Sequence, residues 1–183
     1  MNPELLVSIF SYGALFLQAT IAVGGLLYLA QKLTSFEYTD HAVLDRLHEE
    51  TSNYHLHLAF VLSLIATGGS LYLSNVLGWE PCHLCWFQRI FMYPLVLLTG
   101  TGLLLEKDDV AEYALPLVMI GGSISIYHYA VQMLSKVSSG CSTLSASCSD
   151  KFTYYFGYMT IPMFALTAFL GIGILLWKFN NKN

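Results

Sequence analysis

Four cysteines stand in two pairs, Cys82 with Cys85 and Cys141 with Cys148. A cysteine pair can carry two electrons by cycling between dithiol and disulfide. Around the first pair the sequence reads Glu80-Pro81-Cys82-His83-Leu84-Cys85-Trp86-Phe87-Gln88-Arg89, and an apolar run opens there. Pro81 marks an extended approach, with a helix predicted to follow. Thiols at a helix N-terminus meet free N–H groups and the positive end of the dipole, and both favour thiolate. Arg89 follows Cys85 by four residues, so one helical turn places it on the same face. Its charge favours thiolate further, or holds an anionic group of a ligand. A cation inside the edge of an apolar span is costly and points to function. The plainer account of Arg89 is a side chain snorkelling to lipid phosphates. For an isolated CxxC, a static disulfide or half of a zinc site is an equal rival.

The second pair encloses Ser-Thr-Leu-Ser-Ala-Ser in a serine-rich loop, 135–153. A disulfide closing so short a loop stabilises little. An exposed one is instead of the exchangeable kind. One dithiol on a helix and one on a loop make a relay, in which the loop pair meets an external protein and the helix pair receives its electrons. There is no flavin or dinucleotide fingerprint, so the expected acceptor is a small apolar redox molecule in the bilayer. A quinone fits, being more oxidising than a dithiol. Trp86, Phe91, Tyr93 and His128 are expected to line its pocket.

The elements that position these residues follow from hydropathy. Of 183 residues, 55% are hydrophobic and 11% charged, against about 25% charged in a soluble domain. The net charge of −4 gives no reason to expect a nucleic-acid partner. Five runs are long and apolar enough to cross a bilayer: 5–31, 56–77, 86–105, 113–134 and 154–177. Backbone groups in lipid must be satisfied within the segment, so each run is predicted to be a helix. The fold expected is an all-α membrane protein, a four-transmembrane-helix bundle core with one extra N-terminal transmembrane helix. Its divisions are the extra helix at 1–33, a polar linker at 34–54 with a possible surface helix, the redox core at 55–178 and a tail at 179–183.

Met1-Asn2-Pro3-Glu4 has no basic residue, so the first run is read as an uncleaved helix rather than a signal peptide. Lys32, Arg46, Lys107, Lys178 and Lys182 fall on one side of the membrane; Arg89, Lys136 and Lys151 fall on the other. The positive-inside rule puts the first group in the cytoplasm. All four cysteines fall on the second side, the oxidising one where disulfides persist. The N-terminus is expected outside and the C-terminus in the cytoplasm.

The block Pro81-Cys82-His83-Leu84-Cys85-Trp86-Phe87-Gln88-Arg89 resembles the DsbB/BdbC family of quinone-linked disulfide-forming membrane proteins, in its BdbC-like branch. The resemblance covers about 55–178, and Tyr127-His128, Gln132, Gly157 and Pro162 match it in support. It implies a thiol oxidoreductase of the bacterial cytoplasmic membrane. Such an enzyme reoxidises a thioredoxin-fold disulfide oxidase, DsbA- or BdbD-like, and reduces ubiquinone or menaquinone. By that likeness Cys141 takes the partner's mixed disulfide, and Cys148 passes electrons towards Cys82. Cys85, as thiolate, contacts the quinone. Arg89, His128, Trp86 and Gln88 are the further cofactor residues, and no resident metal is implied. The chain departs from the family in its first helix and in the close spacing of Cys141 and Cys148.

Three rivals remain. In a quinone-epoxide reductase the loop pair precedes the CxxC, the reverse of the order here. In transporters that export reducing equivalents the reactive cysteines lie within the spans. A zinc site of Cys82, Cys85, Cys141 and Cys148 is chemically sound but leaves Arg89 unexplained. His41, His48, His55 and His57 read as interfacial polar residues. A haem shared by His57 and His128 is disfavoured, because the two are expected at opposite depths. His83 is placed to tune the thiols beside it. Gly68-Gly69 and Gly121-Gly122 read as close-packing sites, and Pro94, Pro116 and Pro162 as bends or helix starts.

Overall fold

A computed structural model describes residues 3–34, 54–107, 109–134 and 156–180. Cys141, Cys148 and most of the polar linker lie outside the described residues, as do Lys136 and Lys151. The described residues form five helices and no strand: α1 (Pro3–Thr34), α2 (His55–Asn75), α3 (His83–Leu104), α4 (Val110–Met133) and α5 (Ile161–Asn180). All five are long and apolar enough to span a bilayer. Their outward faces carry large apolar side chains, among them Phe16, Leu97, Met119 and Trp177. In water such faces would be a liability; in lipid they are the solvated surface.

Helices α2 to α5 share one core, centred on Ala59, Leu95, Ala111, Ala114, Phe169, Ile172 and Leu176. Without a hydrophobic force between helices in lipid, close approach of backbones must hold the bundle, and small residues permit it. A Cβ at Gly121 would run into the ring of Phe169, so α4 and α5 meet there only because Gly121 lacks one. Gly102 against Val110 and Gly100 against Phe60 do the same for α3. Gly69 abuts the Phe10 ring and Gly122 lies near Phe169, whereas Gly68 faces open space. Buried hydroxyls turn back on their own helices, as Thr99 Oγ1 does to the Leu95 carbonyl at 2.6 Å and Ser125 to Gly121 at 2.9 Å.

The fifth span starts later than hydropathy suggests. The aromatic stretch from Tyr154 extends the apolar run, but Phe156 and Gly157 sit at φ 54° and 78°, a left-handed turn that no helix continues. Helix α5 begins only at Ile161 and carries Pro162 in its first turn, where a missing N–H costs nothing. Pro94 and Pro116 lie inside α3 and α4.

Helix α1 packs mainly against α5. Gln18 Nε2 donates to Thr167 Oγ1 at 2.7 Å, and the Tyr158 hydroxyl donates to Gln18 Oε1 at 2.9 Å. Tyr12 meets Phe156 edge to face, with centroids 5.4 Å apart. The extra helix is thus docked on the bundle by a polar clasp near its middle.

Candidate functional site: a dithiol in the wall of an apolar cavity

After α2 the chain reverses through Gly78 at φ 69°, and Pro81 leads into α3. Cys82 is the N-cap, extended at φ −69° and ψ 170°, and its carbonyl accepts the Trp86 N–H at 3.0 Å. Cys85 lies in the first turn. This places both sulfurs at the helix N-terminus, 3.4 Å apart as free thiols. Cys82 is buried and Cys85 half-buried.

His128 of α4 completes the group. Its Nε2 lies 3.6 Å from the Cys82 sulfur, and its Nδ1 lies 3.4 Å from Gln88 Nε2. Histidine and glutamine are both buried. Gln88 donating to Nδ1 would leave Nε2 carrying the ring proton, aimed at sulfur. The hydrogen bond from Cys85 holds the Cys82 thiol well below the usual thiol range, and His128 adds to this against the opposing cost of burial. Cys82, Cys85 and His128 place three ligand-capable atoms within 4.8 Å of one another.

Arg89 turns towards α2. Its Nε donates to Ser70 Oγ at 3.0 Å, and an Nη donates to the Ser70 carbonyl at 3.1 Å. Its guanidinium stacks on the Trp86 ring, 5.3 Å from the centroid. Those two hydrogen bonds use two of the five N–H groups of an arginine. Among the described residues Arg89 has no carboxylate partner within ion-pair distance.

Beside the dithiol lies a cavity of about 740 Å³. Helix α3 lines it with Cys82, Cys85, Gln88, Arg89, Met92 and Tyr93, a helical stripe of one face. His128 and Gln132 of α4 join it at the same end with Trp79, Glu80 and Pro81 of the preceding turn; mostly apolar residues of α1, α2 and α5, with Ser70 and Thr167 among them, form the rest. Apolar walls with a few convergent polar groups are what a small-molecule site requires. A quinone needs a flat apolar slot with donors for its oxygens near a thiol, and these residues fit it. Arg89 has N–H groups to spare, and the Tyr93 hydroxyl is buried with no hydrogen-bond partner among the described residues.

The expected cofactor residues thus divide. Cys85, Gln88, Arg89 and His128 come together around the cavity. Trp86 does not line it: the residue after Cys85 is rotated about 100° round the helix, is 54% exposed, and touches Arg89 instead. Phe91 is likewise outside the wall, while Tyr93 is in it. Sequence reasoning missed Ser70 as the anchor of Arg89, the contact of His128 with Cys82, and the wall supplied by α1. A serine after two glycines gave no signal, but polar Gln88 and Gln132 inside apolar spans could have been paired with His128.

Comparison with known proteins follows the same boundaries. The family model for disulfide bond formation protein DsbB matches residues 52–179. The chain is 42% identical over 127 residues to probable disulfide formation protein C 1 of Bacillus cereus, covering 69% of this chain and 91% of that one. It is 43% identical over 122 residues to disulfide bond formation protein C of Bacillus subtilis, covering 66% and 88%. A probable disulfide formation protein of Coxiella burnetii is 40% identical over 126 residues, covering 68% and 86%. No solved structure matches the chain.

Proposed function

The chain belongs to the DsbB family of disulfide-formation membrane proteins, and from that premise we propose that it reoxidises a thioredoxin-fold disulfide oxidase outside the cytoplasm and passes the electrons to a membrane quinone. The observation that carries this reading is the Cys82–Cys85 dithiol in the wall of an apolar cavity that also holds Arg89. The assignment of the cysteine face to the outside rests on lysine and arginine distribution and on cysteine segregation.

In the proposed cycle the partner's dithiol attacks a Cys141–Cys148 disulfide, with Cys141 forming the mixed disulfide. The partner leaves oxidised and the loop pair is left as two thiols. Cys148 then attacks Cys82, forming a Cys82–Cys148 bond as the Cys82–Cys85 bond breaks; Cys141 attacks Cys148, which re-forms the loop bond and releases Cys82. Cys85 leaves as thiolate at the helix N-terminus, with Arg89 one turn away to favour that charge. The bound quinone supplies a two-electron, two-proton sink. Re-forming the Cys82–Cys85 bond releases two electrons and the two protons that the pair took up on its reduction. His128 is the ring nitrogen nearest Cys82, and Gln88 fixes its orientation. Arg89 and Tyr93 are assigned to the quinone oxygens.

Stopped-flow reduction of quinone by a reduced thioredoxin-fold partner tests this, with wild type beside Cys85→Ser and Cys141→Ser. Both variants should lose partner-driven turnover. Turnover retained by Cys85→Ser would overturn the relay. A second reading has its own observation: Cys82, Cys85 and His128 match the donor set of a Cys2His zinc site. Stoichiometric zinc in the purified reduced protein, with no quinone reduction, would favour it.

A further inference from the structure

The family match begins at residue 52, and α1 ends at Thr34, so α1 is an addition to the disulfide-forming core. Yet α1 is not merely attached to that core. Val7, Phe10, Gly13, Ala14 and Leu17 recur at helical spacing along one face, and all five line the cavity that holds the dithiol. The Phe10 ring lies against Gly69, the neighbour of the serine that anchors Arg89. One turn of helix or more beyond, Leu17 packs near Gly171 of α5. Between these two contacts α1 lines the cavity with Gly13, Ala14 and Phe16, and a Cβ placed on Gly13 would meet nothing within 4 Å. The clasp of Gln18 with Thr167 and Tyr158 holds this face in register.

The cavity is elongated. Along α2 its lining runs from Leu73 and Ser70 at the arginine end to Leu58. The fifteen helical steps from Leu58 to Leu73 span about 22 Å. Most of its polar groups stand at the dithiol end; Thr167, tied to Gln18, is the exception, and the far part is bounded by Leu17, Leu58, Leu62 and Ala165. A site for a quinone ring alone needs no such extension. We infer that α1 forms the wall of a channel for the isoprenoid tail of the quinone, with Gly13 and Ala14 leaving the space the tail occupies. This rests on the quinone reading of the dithiol site and adds to it a tail subsite made by a helix outside the family core. Helix α1 thereby sets how strongly the protein distinguishes tailed from tail-less quinones.

The test compares steady-state quinone reduction by the full-length protein in lipid nanodiscs, using an isoprenoid-tailed quinone and its tail-less methyl analogue. Filling the channel with Ala14→Leu or Gly13→Leu should raise KM for the tailed quinone about tenfold, and that for the tail-less one by much less. Gly24→Leu, on the exposed part of α1 away from the cavity, should leave the ratio of the two KM values where it is. In the wild-type chain, a tailed quinone with a photoreactive group at mid-tail should label residues 7–17. A parallel change in both KM values, or no change, overturns the inference, as does labelling confined to 55–178. If the wild type reduces neither quinone, the reading of the dithiol site itself fails.

Discussion

The four core helices and α1 are held by different means. Helices α2 to α5 meet through glycines so close that a Cβ at Gly121 or Gly102 would collide with a side chain of the facing helix. Helix α1 meets glycines only at the two ends of one face, Phe10 on Gly69 and Leu17 near Gly171; a two-bond clasp at Gln18 and one ring pair at Tyr12 hold it, and a void lies along the face between Phe10 and Leu17. The rigid contacts fix the atoms whose positions matter to a thiol reaction: Cys82 and Cys85 on α3 against His128 on α4. The looser contact borders the space that a ligand must enter. A close-packed α1 would leave no chamber, and a loosely packed α3–α4 pair would not hold sulfur and imidazole 3.6 Å apart.

This contrast can be broken first at Gly121. Gly121→Leu should destabilise the bundle by about 3 kcal/mol or more, seen as a large fall in the thermal midpoint in detergent. A small fall would mean that α4 and α5 are not locked there. At the polar end of the cavity, Arg89→Leu should raise KM for quinone about tenfold or more, because it removes a charged donor worth about 1.5–3 kcal/mol. An unchanged KM would leave Arg89 as a lipid-facing snorkel anchored on Ser70.

A subtler effect concerns Cys82. Its thiol is held below the usual range by Cys85 first and His128 second, so its thiolate persists as pH falls below the ordinary thiol value near 8.5. His128→Ala should move the thiolate titration upward, and Cys85→Ala should move it further, both read by thiolate ultraviolet absorbance in the reduced protein. A downward shift in either would contradict the assigned contacts. The smallest effect is at the clasp. Gln18→Ala should cost about 1 kcal/mol of thermal stability while leaving the Cys82 titration unaltered. A shift in that titration would show α1 and the dithiol to be one rigid body.

Much of this architecture is legible in the sequence because lipid leaves little choice. An apolar run of bilayer length must satisfy its backbone internally, and the five helices follow. The start of the fifth run differs because the uncharged stretch Tyr154, Tyr155 and Phe156 extends the apolar run, while the left-handed backbone at Phe156 and Gly157 delays the helix to Ile161. Arg89 announced itself by its cost in an apolar span. Its partner Ser70 did not, since a serine costs little anywhere in a helix. Trp86 enters the expected cofactor set as an aromatic of the family-like block, although helical periodicity alone places it off the face of Cys85, Gln88, Arg89 and Met92. The pairing of His128 with Cys82 and Gln88 joins residues forty or more apart, and only the crossing of α3 and α4 creates it.

The central claim is that electrons leave the protein through the Cys82–Cys85 pair. A single-turnover experiment tests it most directly: fully reduced protein, with Cys141 and Cys148 replaced by serine, is mixed with excess quinone while quinone absorbance and protein thiols are followed together. The account predicts that two thiols disappear for each quinone reduced, with the same time course. Loss of quinone absorbance with both thiols still titratable, or thiols and quinone both unchanged, would contradict it.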